Sequence, residues 1–290
     1  MIDGILLINK GKGRTSHDLV SAVRKKFSQK RVGHAGTLDP IATGLLIMGI
    51  NKGTRILEYL VGLDKTYEVE AMLGKKSDTY DLEGQIVTEW EGKRELNKIS
   101  EQEIIDALNS FRGTIKQRPP NYSAIKISGI PAYKLARKGE EVAIAFREVT
   151  IRDIYDIKIN QEIVRFKADV SSGTYIRSLV FDLGEKLGCG ALMSNLNRSV
   201  VGAYNLARGK SIDEVDEKDI MSTSDVIRDI LPNYNCSSEE EELLKHGLKI
   251  QIAEELEGKD IAVFYNDRLI ALCSFDYEQK ILKPRKVFLD

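Results

Sequence analysis

Three cysteines among 290 residues, Cys189, Cys236 and Cys273, are too few, too widely spaced and odd in number for a disulfide framework or a zinc ribbon. Each reads as a small apolar filler in a chain suited to a reducing compartment. The three histidines, His17, His34 and His246, stand far apart, so the spacing of a metal site is absent and no cofactor is expected. No apolar run approaches the roughly 20 residues that a membrane span requires. Asp3 and Gly4 interrupt the opening residues, so no secretion signal is read there, and a soluble cytoplasmic protein is expected. On that expectation the Asn-X-Ser triplets at Asn121, Asn197 and Asn235 are chance matches. No lysine of the phosphate-loop type follows Gly44 and Gly49, and Gly11-Lys12-Gly13-Arg14 is too short for a dinucleotide fingerprint. Nucleotide hydrolysis therefore has no support, and neither repeats nor low-complexity tracts stand out.

The hydrophobic content of 42% is enough for a sizeable core, and the length suits one large domain plus a small one. A net charge of -1 hides a strong asymmetry. Residues 1–65 hold eleven basic and five acidic side chains, and residues 111–152 hold nine and three, a net +6 in each. Residues 212–258 hold four basic and fourteen acidic side chains, a net -10. A polyanion is drawn to the first two segments and repelled by the third, which suits nucleic acid on one face; the alternative is ordinary solvated surface.

Residues 5–8 form a short apolar run that reads as a strand, and Thr15 or Ser16 caps a helix through about Phe27 with Val20, Val23 and Phe27 on one side. Residues 66–73 alternate as a strand, 101–108 read as a helix, and 149–159 and 163–170 as paired strands. Residues 175–187 follow as a helix with Ile176, Leu179, Val180 and Leu183 as its apolar stripe. The acidic stretch 212–229, closing at Leu231-Pro232, is the best domain boundary, because short strands at 261–264, 269–275 and 283–289 follow it. An α+β fold is expected, with residues 1–232 as the main domain and 233–290 as a small β module.

The run Gly33-His34-Ala35-Gly36-Thr37-Leu38-Asp39-Pro40, continuing through Ile41-Ala42-Thr43-Gly44, holds one acidic residue on a glycine-lined turn. Gly33, Gly36 and Gly44 allow positive φ or close backbone approach, and Pro40 moves Asp39 away from helical conformation. A lone Asp-Pro turn is usually only a loop end. This run, however, resembles the signature loop of the TruB-type tRNA pseudouridine synthases. Lys65-Thr66-Tyr67 is similar to the family's next motif, Ser171 to Leu179 (Ser-Ser-Gly-Thr-Tyr-Ile-Arg-Ser-Leu) to its arginine motif, and Leu196 to Gly202 (Leu-Asn-Arg-Ser-Val-Val-Gly) to its leucine motif.

The resemblance implies a central mixed, largely antiparallel sheet followed by a small PUA-like β-barrel that binds RNA. It implies isomerisation of a uridine in the T-arm loop of tRNA, at position 55, without a cofactor. Asp39 is then the catalytic carboxylate, either nucleophile at C1′ or acceptor of the 2′ proton, and Arg177 its cationic partner. Tyr67 stacks on the flipped base or is simply core, Leu196 walls the pocket or is simply core, and His34 fills the vacated stack or steadies its loop. Residues 117–147 resemble the RNA-gripping thumb of the bacterial stand-alone enzymes, with Arg118, Tyr122, Lys126 and Arg137 as RNA contacts. The thumb favours a monomer with no obligatory protein partner. Where the family's leucine motif usually carries a basic residue this chain has Asn197. The competing readings are an RNA-binding module with a vestigial pocket and a guide-dependent modification subunit.

Overall fold

The computed structural model describes residues 2–123, 125–127, 129–139 and 144–288. Two strand patterns sort the members of its large sheet. Gly4–Lys10 and Thr43–Ile50 are apolar almost throughout, are buried on both faces, and pair antiparallel along their whole length. Lys65–Leu73, Arg147–Asn160 and Ile163–Val170 alternate, so one face is buried and the other meets solvent. With Gly113–Gln117 and Ala191–Val201 they form one sheet in the order 4–10, 43–50, 191–201, 65–73, 163–170, 147–160, 113–117. Every pairing along that path is antiparallel except 43–50 with 191–201. The short strands Val32–Ala35 and Tyr204–Asn205 join beside it. The expected mixed, largely antiparallel sheet is therefore present. Ala191–Val201, of which only the second half reads as part of a motif in the sequence and none as a strand, lies within it between 43–50 and 65–73.

Three helices cover one face. Ser16–Lys26, Glu101–Asn109 and Ile176–Leu187 bury their apolar stripes in a core with Val69, Phe166 and Met193. Thr15 is the cap of the first helix: its side chain accepts from the Asp18 amide while the Asp18 carboxylate accepts from the Thr15 amide. Ser16 is left to bond both the amide and the carbonyl of Leu38, which ties the helix start to the loop carrying Asp39.

The other face of the sheet is covered from the C-terminal side. Ile5, Leu7, Leu45 and Ile47 pack with Val226, Ile227, Ala262, Phe264, Leu272 and Phe288 in a second core. From Asn233 onward the chain forms a curled five-stranded half-barrel sheet, in the order Asn233–Asn235, Asp260–Tyr265, Arg268–Asp276, Ile281–Val287, Ile250–Gln251. Its last strand begins two residues earlier than expected, and Leu289 lies outside the described residues. Because this sheet shares a core with strands at the start of the chain, it braces the large sheet.

Candidate active site

The connection from Val32–Ala35 to Thr43–Ile50 carries Asp39, and it leaves the sheet where strand 43–50 changes neighbour. Val32–Ala35 pairs with residues 47–50, while Asn197 and Arg198 pair with Thr43 and Gly44. Gly36 and Gly44 have φ of +88° and +108°, as the sequence suggests. A Cβ on Gly44 would lie 2.4 Å from the Arg198 carbonyl oxygen, so glycine admits the parallel strand. Gly33 departs from expectation: it has no positive φ but sits in a strand opposite Gly49, where a Cβ would lie 3.1 Å from Leu57 Cδ1. Over Pro40 the turn closes with the Ala42 amide donating to the Asp39 carbonyl at 3.1 Å.

Two buried cations hold this loop from beneath. Lys10 Nζ donates to the carbonyls of Gly11 (3.2 Å), Pro40 (3.3 Å) and Ala42 (2.5 Å), and burial lowers its pKa to about 8 against the opposing pull of Asp39 and Glu83. Arg198 Nε donates to Leu45 O at 2.8 Å and its Nη2 to Gly36 O at 3.1 Å, so one guanidinium grips the chain on both sides of the loop. Both side chains are fully buried.

Asp39 meets Arg177 edge-on: Nε lies 2.9 Å from Oδ2 and Nη2 lies 3.3 Å from Oδ1. Arg177 keeps only 6% of its side chain exposed whereas Asp39 keeps 32%, so the carboxylate is open to a substrate and its partner is not. The remaining guanidinium donors go to Thr79 O and Tyr122 O, each at 2.9 Å, with Asp81 Oδ2 3.6 Å from Nη1. Asp81 is fixed in turn by the Thr79 hydroxyl at 2.6 Å and the Glu83 amide at 3.0 Å. Burial raises the Asp39 carboxyl above the usual carboxylate range; Arg177 and Lys10 pull it down, and Asp81 adds to the rise.

The other candidate residues fall into two groups. Tyr67 and Leu196, 8% and 6% exposed, belong to the core on the helical side of the sheet together with Leu38 and Ile41, which flank Asp39 in sequence. His34 lies in Val32–Ala35 with a buried, unpartnered Nδ1, and burial and the Arg198 charge lower its pKa. Arg118, Lys126 and Arg137 are exposed, and Arg137 lies over the Tyr133 ring. Tyr122 differs from these three: its carbonyl accepts from Arg177 and its hydroxyl bonds Asp78 at 3.3 Å, so it belongs to the wall of the site. Parts of the thumb segment, at 124, 128 and 140–143, lie outside the described residues. The Asn197 amide turns to Glu68 and Thr43. Among the described residues no group of three or more His, Cys, Asp or Glu side chains is arranged to hold a metal ion, and no helix is long and apolar enough to cross a membrane.

Lys10, Asp81 and Arg198 were not singled out from sequence. For Arg198 a signal was available: in a strand of period two it shares a face with Leu196.

Comparison with known proteins agrees with this geometry. The family model for the TruB family pseudouridylate synthase N-terminal domain matches residues 24–176, and that for the tRNA pseudouridylate synthase B C-terminal domain matches residues 177–235. A protein of Clostridium acetobutylicum named tRNA pseudouridine synthase B is 42% identical over 254 residues, covering 86% of each chain. One of the same name from Thermotoga petrophila is 40% identical over 293 residues, covering 98% of this chain and 93% of the other. Among solved structures, the crystal structure of a Cbf5-Nop10-Gar1 complex contains a chain that aligns with a TM-score of 0.75 at 25% identity, over 99% of this chain and 85% of that one. With matched family models across residues 24–235 and relatives this similar over nearly the whole length, the chain belongs to the TruB family of pseudouridylate synthases.

Proposed function

We propose that this protein isomerises uridine to pseudouridine in the T-arm loop of tRNA, at position 55, with Asp39 as the catalytic carboxylate. The observation that carries the reading is an open carboxylate on a rigid turn, paired edge-on with a buried guanidinium. The reaction breaks the bond from ribose C1′ to N1, turns the base, and joins C1′ to C5; the C5 proton leaves and N1 gains one, so no redox agent or metal is needed for balance. Asp39 serves as nucleophile at C1′ or as acceptor of the 2′ proton, and its ionised form is required on either route. Its raised pKa makes Arg177 essential, since the guanidinium opposes burial and fixes the carboxylate's orientation.

Tyr67 and Leu196 provide the apolar wall against which the base turns, and His34, whose pKa burial lowers, is suited to stack within the gap left by an extruded nucleotide. Arg118, Lys126 and Arg137 contact phosphates from the thumb. The basic segments 1–65 and 111–152 supply the charge that draws tRNA in. We assign residues 1–232 to catalysis and 233–290 to a PUA-like module, and the protein acts in the cytoplasm as a monomer without a cofactor or protein partner. The thumb segment supports stand-alone action over the guide-dependent reading.

The deciding experiment measures tritium release from 5-tritiated uridine in an unmodified tRNA transcript, with purified wild-type and Asp39→Asn protein and no additions. Release by wild type alone, with tRNA binding retained by the variant, is the expected result. Loss of binding in Asp39→Asn would make Asp39 structural, and no release by wild type would favour the binding-module or guide-dependent readings.

A further inference from the structure

The helix carrying Arg177 begins without a cap of its own. Its N-cap is Tyr175, in extended conformation and with no side-chain capping bond, and Arg177 is only the second residue of the first turn. In a capping box the side chain of the third helical residue returns to the N-cap amide. Here that residue is Ser178, whose hydroxyl instead donates to the Arg118 carbonyl at 2.7 Å. The vacant role is filled from another strand: Gln117 Oε1 accepts from the Tyr175 amide at 2.8 Å, and Gln117 Nε2 donates to the Tyr175 carbonyl at 3.0 Å. Only an amide side chain offers one acceptor and a matched donor in fixed geometry, and Gln117 is fully buried.

Gln117 is also the last residue of its strand, paired with Arg147, and the thumb segment runs between the two. Arg147 in turn lies over the Tyr175 ring, 4.5 Å from its centroid, and donates to the Gly173 carbonyl. Both roots of the thumb are thus attached to Tyr175, two residues before Arg177. Two further thumb carbonyls, of Arg118 and Tyr122, accept from Ser178 and Arg177.

We propose that Gln117 is a positioning residue for the isomerisation: its amide clamp on Tyr175 sets the start of the helix and thereby aims the Arg177 guanidinium at Asp39. The inference rests on the proposed function above. It assigns the thumb root a second role besides touching RNA, since displacement of either root moves the acceptors that orient Arg177.

The test uses full-length wild type, Gln117→Met, which keeps volume without the amide, and Gln117→Asn, whose amide is one methylene too short to reach both partners. Single-turnover rates on tRNA are measured across pH, beside tRNA affinity and thermal midpoint. A misplacement of about 1 Å costs on the order of 100-fold in rate, so the expected result for Gln117→Met is a rate loss of that order with affinity within twofold. The acidic limb of its rate profile should also move to higher pH, because Asp39 loses part of the cation that opposes burial. Gln117→Asn should show the same two changes in smaller measure, and decides the matter if Gln117→Met does not fold. Unchanged rates, or a loss matching only the unfolded fraction with the acidic limb in place, overturn the inference. Turnover by wild type separates that outcome from failure of the functional reading; an inactive wild type overturns both.

Discussion

Around the Asp39 loop, Lys10 and Arg198 are buried and direct their donors to backbone carbonyls, whereas in the C-terminal sheet Lys283 and Arg285 lie towards the surface, each beside a carboxylate. The first arrangement fixes geometry without cancelling charge. A carbonyl positions an ammonium or guanidinium precisely along its lone pairs yet leaves the net charge in place, so a positive field remains beneath the loop. The second arrangement cancels charge and fixes little, because an exposed pair is screened by water and salt. The site therefore bears its electrostatics in the interior, and the tail contributes chiefly apolar packing against Ile5, Leu7 and Ile47.

The comparison breaks most visibly at Arg177. In Arg177→Met the nearly buried Asp81 loses its cation, and an uncompensated buried charge of this type costs about 3–5 kcal/mol. We expect a loss of stability of that order in urea titrations, with turnover lost beyond what unfolding explains. Adding Asp81→Asn should recover part of the stability but none of the turnover. Recovery of both would mean that Arg177 serves only to neutralise Asp81.

Lys10 sharpens the same point through pH. Its pKa falls from 10.5 to about 8 on folding, so between those values the unfolded chain binds the extra proton and stability rises with pH. The rise attributable to Lys10 is at most about 3.5 kcal/mol, at about 1.4 kcal/mol per pKa unit. Lys65, also lowered to about 8 by burial, contributes a parallel rise. Cys236 and Cys273, raised by burial to about 11 and about 12, act in the opposite sense above about pH 9, so the expected result is a difference: between pH 8 and pH 10.5 the urea midpoint of Lys10→Met should gain less, or fall more, than that of wild type. An unaltered slope would show that the ammonium does not meet the loop carbonyls in a buried state.

Asp81→Asn alone should act more gently. The amide keeps the shape that accepts from Thr79 and Glu83, but removes a charge that raises Asp39. The acidic limb of the rate profile is expected to move to lower pH, opposite to the shift for Gln117→Met, with a smaller rate change than that variant shows, because Arg177 keeps its contacts with Asp39. Movement to higher pH would place the main effect of Asp81 in orienting Arg177.

These residues also mark where the sequence could be read and where it could not. The alternation of residues 66–73 and 163–170 foretells strands with one wet face, and the unbroken apolar run at 5–8 fits a strand covered on both sides. Asp39 and Arg177 were legible through motifs whose residues lie close together in sequence. Asp81 was not, because its importance arises from a turn folded against a helix almost a hundred residues later. Lys10 ends an apolar strand and looks like a solvated terminus until the loop closes over it. Gln117 read only as the first residue of the thumb, since nothing in its neighbourhood announces a partner 58 residues away.

The smallest expected effect lies in the tail. Lys283 pairs with Asp276 at 2.8 Å and Arg285 with Asp260 at 2.7 Å, with about half of each basic side chain exposed. Pairs of this kind contribute about 0–1 kcal/mol. Replacing both cations with glutamine should shift the urea midpoint by no more than that and leave tRNA affinity within twofold. If affinity fell further, and fell less steeply with added salt than in wild type, these cations would be phosphate contacts that exchange a carboxylate for RNA on binding. The tail would then share the electrostatic work of the site, and its charges would be neutral only while the protein is free.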